Sequence, residues 1–107
     1  MIVKLDSRIK SLNGMVLQDI DRNGNIQGDI TIKSIIVEAL LRPHPSEDKL
    51  SGMERMKRFS LAQKVYGSKE EVELMVEEIA LIKELVGIKN FPVLIVGRTF
   101  NILEGKE

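Results

Sequence analysis

The sequence predicts an α+β domain, mainly helical, in which an N-terminal β-hairpin with one short extra strand packs on about four α-helices. Three observations carry this expectation. Apolar and polar residues alternate around Asn13-Gly14 near the N-terminus, the pattern of short strands joined by a tight turn. Further along, apolar residues recur at helical spacing in separate segments. Proline, glycine and capping residues fall at the joints between those segments.

Alternation runs from Ile2 to Gln18, as in Val3-Lys4-Leu5-Asp6, and Asn13-Gly14 places the hairpin turn because both residues tolerate positive φ. A second Asn-Gly, Asn23-Gly24, lies in DIDRNGNIQGD, a turn or loop that Ile20, Ile26 and Ile30 anchor. From Thr31 to Arg42 the residues Ile32, Ile35, Ile36, Ala39 and Leu40 mark a helix capped by Thr31 or Asp29 and ended by Pro43 and Pro45. Ser51 and Glu54 fit a capping box that opens a second helix, running to about Tyr66 with Gly67 as its stop. Its apolar line is expected to be Met56, Phe59, Ala62 or Gln63, and Tyr66, with Met53 and Leu61 beside it.

Between Ser68 and Met75 two readings compete. Ser68 and Glu71 would cap one helix running on to Val86, or Glu71 to Leu74 forms a short edge strand that pairs with the N-terminal hairpin. The strand is preferred. The stretch VEEIALIKELVG then makes an amphipathic helix with Val76, Ile79, Ile82, Leu85 and Val86 on its apolar side, Gly87 as its terminator, and the rest of the chain packed around it. In FPVLIVGRTFNILEG, residues 93–96 read either as a buried strand or as the start of a helix, and helix is preferred from the spacing of Val93, Val96, Phe100 and Leu103. Gly97 would sit inside that helix, where close approach of another backbone would account for it.

At 107 residues the chain has the length of one domain, residues 1–107, and its 43% of hydrophobic residues suffice for a core. Sixteen basic residues balance 16 acidic ones, so no overall field draws the chain to nucleic acid or an anionic membrane. The lack of cysteine removes disulfides and thiolate chemistry, and no apolar run approaches a membrane span or a signal peptide. A cytoplasmic location is therefore expected. Aromatic residues make up 4% of the chain, which disfavours stacking platforms for single-stranded nucleic acid or sugars.

The sharpest motif match is the segment that begins at Asp19. Asp19, Asp21 and Asn23, followed by Gly24 and Ile26, supply the first half of an EF-hand-type calcium loop. The closing position is Ile30 rather than Glu, and a strand-like segment stands where the incoming helix should be, so a polar turn is the preferred reading. His44 lies between prolines beside Ser46, Glu47 and Asp48, a grouping too close in sequence for a triad, and adjacent pairs such as Glu70-Glu71 and Glu77-Glu78 point apart on a helix. Catalysis, a cofactor and a small-molecule substrate are not indicated.

Arg55, Lys57, Arg58 and Lys64 give the second helix a basic tendency, an alternative nucleic-acid contact for which a solvated surface is the commoner explanation. Arg98 follows an apolar run and suits an internal salt bridge to a Glu or a partner-binding surface. Among five methionines, Met53, Met56 and Met75 lie near helix starts or core edges, where soft side chains either fill gaps or line a protein contact.

The combination RMKRFSLAQKVYGSKEEVEL, VEEIALIKELVG and FPVLIVGRTFNILEG resembles a family of small proteins of unassigned role encoded in tailed phages and prophages. The resemblance covers about the last half of the chain and transfers no site residue. It implies a non-enzymatic phage accessory or assembly protein that acts in the host cytoplasm through a protein partner or self-association. Met53, Met56 and Arg98 are the residues expected to serve such a contact.

Overall fold

The computed structural model describes residues 1–20, 23–24, 26–42, 50–89 and 91–106, with the backbone alone at 19, 20, 26 and 27. Its elements, in order, are β1 (Ile2–Lys4), β2 (Gln18–Ile20), β3 (Ile26–Asp29), α1 (Ile32–Leu41), α2 (Gly52–Gly67), β4 (Glu71–Glu73), α3 (Val76–Ile88) and α4 (Val93–Leu103). This is the expected α+β, mainly helical architecture.

The two Asn-Gly pairs each make a turn. Gly14 and Gly24 take φ of 89° and 84°, left-handed values that cost an ordinary residue a clash at Cβ. Around the first, the Asn13 side-chain oxygen accepts from the Met15 N–H at 3.1 Å and from the Ser11 hydroxyl, and Ser11 N–H bonds Met15 O at 2.8 Å. The hairpin so formed is narrow, a single Lys10–Val16 bridge instead of two long strands. Around the second turn, β2 and β3 pair antiparallel, Gln18 with Asp29 and Asp19 with Gly28, with a register shift before Ile20. That hairpin stands where the sequence showed only a loop.

The short edge strand forms as preferred. β1 and β4 pair antiparallel with Ile2 opposite Glu73, Val3 opposite Val72 and Lys4 opposite Glu71. Alternation turns Val3 and Val72 into the core and leaves their neighbours outside.

Caps set the helix starts. Thr31 and Ser34 form a capping box at α1, and the Ser51 hydroxyl accepts from the Glu54 N–H at 3.1 Å at α2. At α3 the Glu78 carboxylate accepts from the Met75 N–H at 2.8 Å. α4 starts after Pro92, so residues 93–96 are helix as preferred.

The element on which the others pack is α1, not α3. α1 lies against α2, α3 and α4, and Ile32, Ile36 and Ala39 are fully buried along it. It is the natural centre because Ile32, Ile35, Ile36, Ala39 and Leu40 give it apolar side chains over a wide stripe. In α3 the predicted residues Ile79, Ile82, Leu85 and Val86 are buried, but Val76 is exposed and Gly87 lies inside the helix, which runs on to Ile88. In α4 the buried line is Ile95, Thr99, Ile102 and Leu103, rotated from the predicted one, with Val93 exposed. A Cβ at Gly97 would meet nothing within 4 Å, so no backbone packs close there.

Two ties close the structure. The buried Lys89 ammonium donates to Arg42 O at the end of α1, and Arg42 Nη1 returns a bond to Lys89 O at 3.2 Å. Burial, then the positive charges of Arg58 and Arg42, hold the Lys89 pKa below the usual lysine range. Between α3 and α4, Lys83 bonds Glu104 at 2.7 Å and lies 5.7 Å from the Phe100 ring centre.

Candidate protein-binding surface on helix α2

The second helix departs most from its predicted packing. Of the expected apolar line Met56, Phe59 and Tyr66 are exposed and Ala62 is buried, and the core also receives Leu61, which was expected beside that line, and Val65, which was not. The reason is geometric. At about 100° per residue, α2 carries three overlapping apolar stripes, and spacing alone does not say which one meets α1. Only the second half of the helix reaches the core, and small Ala62 lets α1 approach. From Gly52 to Ser60 every residue is exposed except the half-buried Arg58.

One freed stripe forms a wall of an open groove of about 630 Å³ between α2 and the start of α3. Met53, Met56, Lys57, Ser60, Leu61 and Lys64 supply the α2 side, and Met75, Glu77, Glu78 and Leu81 the other. Met53, Met56 and Met75 are 76%, 59% and 61% exposed, so they are not filling gaps in this core. The opposite flank of α2 makes a smaller apolar groove of about 310 Å³ with α1, through Val37, Leu41, Phe59 and Tyr66.

The larger groove is electrically divided. Its α2 wall is cationic through Lys57 and Lys64, and its α3 wall is anionic through Glu77 and Glu78. Lys64 and Glu78 bridge the groove at 3.1 Å. Partial burial pushes the Glu78 carboxyl up, but bonds from the Met75 N–H and Lys64 outweigh it and hold the pKa below the usual range. Glu78 therefore stays ionised at neutral pH.

The four basic residues of α2 do not share one face. Lys57 and Lys64 line the groove, Arg58 turns toward the core beside Lys89, and Arg55 projects on another side of the helix. Arg98 is also separate from the methionines. Its Nε donates to Lys10 O and its Nη2 to Ser11 O, each at 3.0 Å, so it clamps the N-terminal turn onto α4. Beside it, Ser7, Arg8, Lys10 and Ile102 complete a cleft of about 230 Å³.

Asp19 lies on β2 and Asn23 in the turn that follows, while Asp21 falls outside the described residues, as do His44, Ser46, Glu47 and Asp48. Among the described residues no group of three or more His, Asp or Glu side chains gathers to hold a metal ion. Nor is any described helix long and apolar enough to cross a membrane.

Ser60, Leu61, Glu77, Glu78 and Leu81 are the groove residues that sequence reading did not assign to a contact surface. No pattern within α2 identifies Glu77 or Leu81, since they join the site only because α1 holds α2 and α3 on neighbouring sides. Comparison of the chain with protein-family models, curated proteins and solved structures finds no match.

Proposed function

We propose that this chain works through protein contacts and not through catalysis, and that the contact surface is the α2–α3 groove. The observation that carries the reading is the exposure of Met53, Met56 and Met75 around one apolar groove, on a helix whose first half is not needed for the core. Methionine suits such a surface, because an unbranched thioether chain adapts its shape to a partner at low cost. Exposed apolar patches of this kind on small domains are commonly interaction sites. The phage-like pattern of the last half of the chain gives the contact its setting, an accessory or assembly role in a host cytoplasm.

The test is retention of proteins from nuclease-treated lysate, together with the chain's own association state. Native chain is compared with the double variant Met53→Glu, Met56→Glu after circular dichroism shows equal helix content. The variant is expected to lose both kinds of association. Association equal to that of the native chain would overturn the assignment of this surface.

A further inference from the structure

We infer that the occupant of the α2–α3 groove is a second copy of this chain, docked about a twofold axis. The inference rests on the groove being a protein contact, as proposed above, and adds the identity of the partner. The division of charge carries it. A twofold contact brings the same patch of both copies together, and with the axis running along the groove each copy's cationic α2 wall meets the other's anionic α3 wall. Within one copy, Lys64 and Glu78 already satisfy each other at 3.1 Å. That leaves Lys57 and Glu77 on opposite walls, neither in an ion pair among the described residues. The axis pairs Lys57 of each copy with Glu77 of the other, twice per dimer. A partner of uniform charge would satisfy one wall and be repelled by the other.

The shape of α2 agrees. Met53, Met56, Lys57, Ser60 and Lys64 fall at spacings of three and four, the seam of a helix that packs against another helix. Ser60 is the small residue near the middle of the seam, where α3 of the other copy can approach closely. Zero net charge adds no long-range repulsion between copies.

The experiment is sedimentation equilibrium of the full chain up to about 1 mM, the concentration range of weak association, with charge exchange across the groove. The native chain is expected to dimerise. Lys57→Glu alone and Glu77→Lys alone each place like charges together and should weaken the dimer about tenfold. An equimolar mixture of the two variants restores both attractive pairs and should regain native affinity as a mixed dimer, as should the variant carrying both exchanges. These side chains lie on the groove walls and not in the core, so folding is retained, and circular dichroism checks it.

A native chain that stays monomeric while still retaining an unlike protein through Met53 and Met56 overturns the second copy and leaves the contact surface standing. Monomer together with retention indifferent to those methionines defeats both. A dimer that ignores the charge exchanges and Met53→Glu lies elsewhere on the molecule and overturns the inference.

Discussion

Thr99 is fully buried on α4, and among the described residues its hydroxyl has no hydrogen-bond partner. A buried hydroxyl without a partner has lost its water and gained nothing in return. Thr99→Val keeps the shape and removes the polar atom, and should stabilise the fold by about 1 kcal/mol in urea unfolding. A loss of stability would show that the hydroxyl is bonded. Glu104 makes the opposite case, a carboxylate between two cations, Lys83 at 2.7 Å and Lys106 at 3.0 Å. Hydrogen bonds from Lys83 and Lys106, and then their charges, pull its pKa from the ordinary 4.5 to about 2. The folded state thus releases this proton more readily than the unfolded chain, so the stabilisation is present above 4.5 and is lost as pH falls through about 2. Glu104→Gln should lower stability at neutral pH, and the difference from the native chain should close only as pH falls below about 2. The site faces solvent, so added salt should shrink the difference, and denaturant midpoints across that range check both trends.

At the scale of elements, glycine placement separates turns from helices. Gly14 and Gly24 hold left-handed φ at the two Asn-Gly turns, where another residue would be strained. Gly97 is exposed in α4 with open space beyond its Cα, so alanine there narrows the unfolded ensemble without a clash. Gly97→Ala should gain about 1 kcal/mol, raising Tm by about 5 °C. An unchanged or lower Tm would mean that the helix needs glycine at that point. The elements themselves were legible where local chemistry decides them. Ser51 named one helix start through its cap and Thr31 or Asp29 another, of which the structure uses Thr31, and alternation at Glu71-Val72-Glu73 favoured β4 over a helix. The β2–β3 hairpin was not legible, because its strands are short and a segment rich in turn residues has no period to read.

Across the whole molecule, stability and the candidate contact share Leu61 but otherwise draw on largely different residues. Ile36 is fully buried at the centre of α1, and α1 touches all three other helices. Ile36→Ala should cost about 4 kcal/mol, since it opens a cavity where several elements meet. Met56→Ala, measured in dilute solution, should stay within about 0.5 kcal/mol of native stability and act only on association. Chemical denaturation of the two variants beside light scattering distinguishes them. A large stability loss at Met56 would assign that side chain to the core after all.

By itself the sequence determined the fold class and the helices up to α3, because caps, turns and periodicity act within a few residues of one another, and it favoured without deciding the edge strand at 71–74 and the helix at 93–96. It also singled out Met53, Met56 and Met75. Only the tertiary structure decided that α1 is central, that α2 buries Val65 beside Leu61 and Ala62 and leaves Met56, Phe59 and Tyr66 exposed, and that Arg98 holds the N-terminal turn. The physical reason is common to all three. A helix with several apolar stripes has several nearly equivalent ways to dock, and the choice depends on the shapes of neighbours far away in the chain, which no local pattern encodes.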